Sequence, residues 1–298
     1  MTTGSPSVII DASTEHRREA GVALAQQWWD LDRFRQSCRL AEDLGFDSAW
    51  VTDHLRGPDA LLDPFIALTY AAAVTERIRL GVAVAVSSAR SPVQLAQIVA
   101  SVDQLSGGRL ELGIGSGAST SGRAFGVPPD EVFDRFRACV RLMKQLWRAD
   151  NVTVDYRWWH LEDWDVGIRP YLQPHPPLWI GDRTRKALHH AVEQGTGWVG
   201  AGSSSIDDFT LQLAVVRGHL DRLGRRSGEF GIAKRVYLAC SDRAELDGVT
   251  FDVDAAGAWF GHHYGDPAGA DRFVVTGGVT ACAAQVAQVR DAGAEQSS

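Results

Sequence analysis

Short apolar runs, each followed by a segment of helical periodicity, recur along most of this chain. That alternation points to a parallel sheet, because a crossover helix returns every strand to the same end. The runs are Val8-Ile9-Ile10, Ser48 to Thr52, Leu80 to Val86, Leu110 to Ile114, Leu178 to Gly181, Gly197 to Gly200 and Val236 to Cys240. Between them, Leu31, Phe34, Cys38, Ala41 and Leu44 fall on one helical face closed by Gly45. Asp63-Pro64 and Ser91-Pro92 open two further helices, with proline at the first helical position, where its missing N–H is harmless. Phe133, Phe136, Val140, Met143 and Leu146 predict another, and two more are predicted over 206–223 and 279–292. Residues 150–177, with Trp158, Trp159, Trp164 and several prolines, read as an irregular insertion.

Seven strands at this spacing, with no early nucleotide fingerprint, favour a barrel over an open sheet. The predicted architecture is one TIM-type (β/α)8 barrel domain over 1–298, with the insertion at 150–177 and without its last strand and helix, since little sequence follows Gly293. Closure then falls to a partner or to another segment such as Arg272 to Thr276, or the barrel stays open. A length of 298 residues suits one such domain. The net charge of −7 without a basic stripe argues against nucleic acid. Cys38, Cys139, Cys240 and Cys282 stand far apart with no Cys-x-x-Cys pair, against a zinc or redox motif and in keeping with the cytoplasm. No leader-like segment and no run of about 18 apolar residues argue against secretion and membrane spanning.

In parallel barrels the chemistry gathers at the C-terminal ends of the strands. Asp53-His54 follows the second run, where a histidine can move a proton and an aspartate can fix its tautomer, or both can merely satisfy loop backbone. Gly113-x-Gly115-x-Gly117 lets backbone approach a ligand, although its place after three strands is wrong for a dinucleotide fingerprint. Gly181-Asp182-Arg183-Thr184 leads into a helix whose N-terminus suits a phosphate, or is an ordinary capped turn. The small residues Gly81 to Ala85 leave room for a flat group, or fit a crowded interior. The pairs His189-His190 and His262-His263 point apart on a helix and make poor metal sites. Ser116 and Ser119 lack a nucleophile-elbow setting. The tryptophans, Trp50, Trp179 and Trp198 among them, are read as core before cofactor stackers.

The blocks Leu-Gly-Phe-Asp-Ser-Ala-Trp-Val-Thr-Asp-His (44–54), Ser-Pro-x-x-x-Ala-Gln (91–97), Asp103 to Arg109, Leu-Gly-Ile-Gly-Ser-Gly (112–117) and Pro-His-Pro-Pro-Leu-Trp-Ile-Gly (174–181) stand in the order found in luciferase-like monooxygenases. With Thr75 to Gly81 and Gly197-Trp198, the chain resembles that family over about 31–293, most closely its deazaflavin branch. The resemblance implies a homodimeric barrel that binds coenzyme F(420), or alternatively FMN, and acts on a small molecule. It puts Asp53 and His54 at the reacting face, and the ring against Val82, Ala83 and Ala85, with a non-proline cis peptide at Val82-Ala83. Ser116, Gly117, Gly181, Asp182 and Arg183 would meet the ribityl-phosphate tail, and the tryptophan-rich insertion would cover the substrate. Ala118 stands where sugar-phosphate dehydrogenases of the branch carry a proton-donating Glu, which argues against that substrate class. The activity implied is hydride transfer. An FMN-dependent monooxygenase and a catalytically silent cofactor-binding barrel are the alternatives.

Overall fold

Backbone pairing in the computed structural model, which describes residues 7–11, 19–24, 26, 30–55, 61–117, 119–240 and 268–294, turns these runs into a closed ring. The strands are β1 (Ser7–Asp11), β2 (Ala20–Ala23), β3 (Ser48–Val51), β4 (Arg79–Val86) and β5 (Leu110–Gly115). After them come β6 (Val152–Tyr156), β7 (Trp159–Trp164), β8 (Leu178–Ile180), β9 (Gly197–Gly200), β10 (Gly231–Cys240) and β11 (Val274–Gly277). Neighbours in the series β2, β3, β4, β5, β8, β9, β10 pair in parallel. β1 is antiparallel to both β2 and β10, with Val8 opposite Val22 on one side and Val236 on the other. The barrel fold holds, and the expected gap is filled by the N-terminal strand, run in the opposite direction. Val274–Gly277 does not close the ring; it pairs with the last four residues of β10.

Two further expectations are corrected. β2 escaped the sequence reading because Ala-Gly-Val-Ala is too short and small to register as an apolar run. Residues 150–177 contain the antiparallel hairpin β6–β7, whose Val152, Val154 and Leu161 are buried with the Val132–Arg148 helix in the main core. The helices pack outside the ring, with Phe34, Leu68, Leu95 and Trp147 buried against outward residues such as Leu80 and Leu112. Asp30 and Asp63 accept the N–H groups of Arg33 and Phe65, each at 2.9 Å, and so start the Leu31–Asp43 and Pro64–Val74 helices.

Inside the ring, Trp50 and Trp179 meet edge to face at 6.4 Å and fill the lumen below the C-terminal strand ends. Glycine flanks each of them. A Cβ on Gly21 or Gly81 would collide with the Trp50 ring, and one on Gly197 or Gly231 with the Trp179 ring. The Trp179 indole donates to Glu111 at 2.8 Å, and Arg79 pairs with the same carboxylate at 2.7 Å, so the buried acid is matched.

His190, on the Arg185–Gln194 helix, is buried against Phe133 and Phe136. Burial, with Arg137 adding repulsion, pushes its pKa down to about 4. A depressed histidine binds no proton in the folded state where the unfolded chain does, so stability is lost as pH falls from about 6.5 to about 4. In urea titrations, His190→Phe is expected to flatten the pH dependence across that window relative to the parent protein. Gly81→Ala and Gly231→Ala are expected to lose about 1–3 kcal/mol each through overpacking. Gly218→Ala, where a Cβ meets open space within the Ile206–Leu223 helix, should instead gain up to about 1 kcal/mol.

Candidate functional site

Six strand ends surround a cavity of about 370 Å³ above the tryptophan layer. β3 leads into Thr52, Asp53 and His54, and β4 contributes Ala83, Val84 and Val86. β5 and β8 bring Gly115 to Gly117 and Gly181 to Arg183, and the segment 199–203 and Arg235 complete the wall.

The β4 wall depends on a bulge. Val82 pairs with Leu112 and Ala85 with Ile114, so β4 carries one residue more than β5 across this stretch. The extra residue lets both Ala83 and Val84 line the cavity, while Val82 and Ala85 are buried in the outer core. Of the three β4 residues expected beside a ring, Ala83 lines the cavity, whereas Val82 and Ala85 do not, and Val84 and Val86 line it in their stead. The cis peptide is Ala83-Val84, one residue beyond the expected place. The glycines opposite serve this bulge. A Cβ on Gly115 would lie 2.9 Å from Val84 Cγ2, and one on Gly181 would lie 2.6 Å from Val84 Cγ1.

Asp53 is buried and anchored. Its carboxylate accepts the Val86 N–H at 2.9 Å and pairs with Arg90 at 3.1 Å, with side-chain exposures of 0% and 15%. Arg90 also pairs at 2.9 Å with Asp63, the cap of the Pro64–Val74 helix. One guanidinium thus ties the end of β3, the turn after β4 and a helix start. Its pKa rises: burial alone would lower it, and the Asp53 and Asp63 carboxylates more than offset that. His54 is half-buried beside this anchor and lines the cavity.

Ser116 donates its hydroxyl to Asp182 at 3.2 Å, which links the ends of β5 and β8. The other Asp182 oxygen accepts the N–H groups of Arg183 and Thr184 at 2.6 and 2.9 Å, just before the Arg185–Gln194 helix. The Arg183 side chain is exposed at the rim. All the residues expected around the tail are brought together. Trp198, by contrast, stacks outward on Phe209 at 5.3 Å and donates its indole N–H to the Asp182 carbonyl.

The sequence reading missed the segment after β9 and its support. Lys234 is buried and donates to Ala201 O, Ser204 O and Ser204 Oγ at 2.9, 2.8 and 2.9 Å. Burial pushes its pKa down to about 8. Arg235 was missed because the seventh run was begun at Val236; extending it back to Gly231 sets the alternation that turns Arg235 inward. The tryptophan-rich insertion does not line the cavity. Trp158 donates to Glu131 at 2.8 Å and Arg135 sits 5.1 Å over Trp159, so these two rings are held at the start of the Val132–Arg148 helix. Ala118 and the pair His262-His263 lie outside the described residues. Among the described residues no cluster suits a metal ion, and no helix is long and apolar enough to cross a membrane.

A model of the luciferase-like monooxygenase family matches residues 11–246. An F(420)-dependent glucose-6-phosphate dehydrogenase of Kineococcus radiotolerans is 32% identical over 231 residues, which cover 73% of this chain and 64% of that protein. A 5,10-methylenetetrahydromethanopterin reductase of Archaeoglobus fulgidus is 30% identical over 192 residues, 64% of this chain and 55% of that one. The chain thus spans less than two thirds of the length of these curated relatives. Among solved structures, an F(420)-dependent secondary alcohol dehydrogenase in complex with an F(420)-acetone adduct superposes with a TM-score of 0.75 at 18% identity, over 92% of this chain and 90% of that one. The monooxygenase RslO1 from Streptomyces bottropensis does so with a TM-score of 0.74 at 24% identity, over 89% and 85%. At these identities the superpositions speak for the fold.

Arg90→Met leaves the Asp53 carboxylate buried without its cation, and denaturant unfolding should show a loss of about 3 kcal/mol. Adding Asp53→Asn to that variant should recover part of the loss, and additive losses would show that the two groups are not coupled.

Proposed function

This chain belongs to the luciferase-like monooxygenase family, and we propose that its cavity binds a deazaflavin, coenzyme F(420), for hydride transfer to or from a small organic substrate. The observation that carries the reading is the meeting of three features at one set of strand ends: the apolar bulge Ala83-Val84, the polar rim Ser116 to Gly117 and Gly181 to Arg183, and His54. The cavity volume lies within the range of about 300–1,000 Å³ common for small-molecule sites. Its walls fit a ring with a polar tail. Ala83, Val84 and Val199 supply apolar surface for a flat ring, and Arg183 with the Arg185–Gln194 helix N-terminus supplies positive charge for an anionic tail. Asp182 is compatible with that tail because its carboxylate is already engaged by Ser116 and two backbone N–H groups. The sequence relatives named as F(420)-dependent glucose-6-phosphate dehydrogenases favour the deazaflavin over FMN.

A bound deazaflavin supplies the carbon that gives or takes a hydride; the protein supplies position and proton traffic. His54, half-buried in the wall, gives or removes the substrate proton through its imidazole. Asp53 acts through backbone position: held by Arg90 and the Val86 N–H, it fixes the strand end that presents His54. We assign it this anchoring part in place of setting the His54 tautomer. Lys234 shapes the opposite wall by holding the 201–204 backbone from behind.

Titration with F(420) and, separately, with FMN, followed by tryptophan fluorescence, tests the reading, because Trp50 and Trp179 lie directly below the cavity. Micromolar binding of F(420) is expected, and binding of FMN alone would turn the assignment to oxygen-activating chemistry. His54→Ala should lower turnover by roughly 10²–10⁴-fold while leaving F(420) affinity within about twofold. Unchanged turnover would remove His54 from the mechanism, and binding without turnover in the parent would mark a silent barrel.

A further inference from the structure

Residues of β10 alternate between two environments. Ile232 and Val236 are buried in clusters outside the ring, and Lys234 lies 5.6 Å over the Phe209 ring of the Ile206–Leu223 helix. Gly231 faces Trp179, Ala233 packs with Trp50, Ala83 and Val199, and Tyr237 faces Gly202. Arg235 shares this inward side and lines the cavity. Its Nη1 donates to the Ala83 carbonyl at 3.4 Å, so the side chain crosses the lumen from β10 to the β4 bulge. Its Cζ lies 4.9 Å from the Tyr237 ring centroid. A permanent cation therefore sits at the inner side of the cavity, away from the rim where Arg183 is exposed.

A deazaflavin carries nitrogens and carbonyl oxygens side by side along its pyrimidinedione edge. Hydride addition at the central carbon brings two electrons and one proton and breaks the conjugation between the phenolic ring and the pyrimidinedione, so the negative charge of the reduced ring is held on an adjacent nitrogen and carbonyl oxygen of that edge. A guanidinium can offer two parallel N–H donors to such a pair, and its bond to an anion is stronger than its bond to a neutral acceptor. Resting on the deazaflavin reading above, we propose that Arg235 meets the pyrimidinedione edge of the bound ring and favours its reduced form, whose negative charge lies there. Charge at that edge is one of the means by which a protein tunes a bound redox ring.

The test compares affinities, with no turnover needed. The parent protein and Arg235→Met are titrated anaerobically with oxidised and with chemically reduced F(420), and the ratio of the two dissociation constants is taken. Replacement should lower the preference for the reduced ring roughly tenfold, the difference between a charge-assisted and a neutral hydrogen bond. Arg235→Lys should keep most of the preference. An unchanged ratio, or equal weakening of both forms, overturns the proposal and leaves Arg235 as a brace between β10 and β4. If circular dichroism shows that the methionine variant does not fold, Arg235→Gln, which keeps a donor and loses the charge, gives the same comparison. If the parent binds neither form, the deazaflavin reading itself falls and this proposal with it.

Discussion

Two indoles facing each other in a narrow ring govern the rest of this molecule. Trp50 and Trp179 fill the lumen, and the strands beside them must be glycine where the rings press on the backbone. Interiors pack at crystal-like density, so a side chain of that size leaves its neighbours no freedom. The pair sets the floor of the cavity and makes β2 and the start of β10 look featureless in sequence. Composition at those positions answers to shape, with hydrophobicity secondary.

Above the floor, a single extra residue does most of the shaping. The bulge in β4 turns both Ala83 and Val84 to the cavity, and Gly115 and Gly181 are small because Val84 occupies the space their side chains would need. A glycine-rich run that suggests an anion cradle is here also a steric answer to a neighbouring strand. The charges around it are arranged in the same economical manner. Arg90 serves two aspartates and thereby three chain segments, while Lys234 holds the far wall from outside the ring.

Strand–helix alternation, proline and aspartate helix starts, and polar residues after strands were legible from sequence, because each is a local rule acting over a few residues. Asp53, His54, Ser116, Gly117, Gly181, Asp182 and Arg183 do converge, as their position after strands implied. What escaped was set by parity and by distant partners. Whether Val82 or Val84 faces the cavity turns on a bulge defined by pairing with β5, and Arg235 is inward because β10 begins at Gly231, five residues before its apolar run. The antiparallel course of β1 was likewise invisible, since Val8-Ile9-Ile10 reads the same in either direction.

That reversed strand decides where the chain enters the barrel. In an all-parallel ring every strand begins at the base, remote from the ligand. Here Ser7 stands opposite Tyr237, toward the C-terminal end of β10, and Asp11 opposite Ala233. The polypeptide therefore comes into its first strand at the mouth and runs down to the floor. The backbone at Ser7 is thus level with the cavity mouth and that at Asp11 with Ala233 and the indole floor, so this one strand joins the two layers of the site from top to bottom.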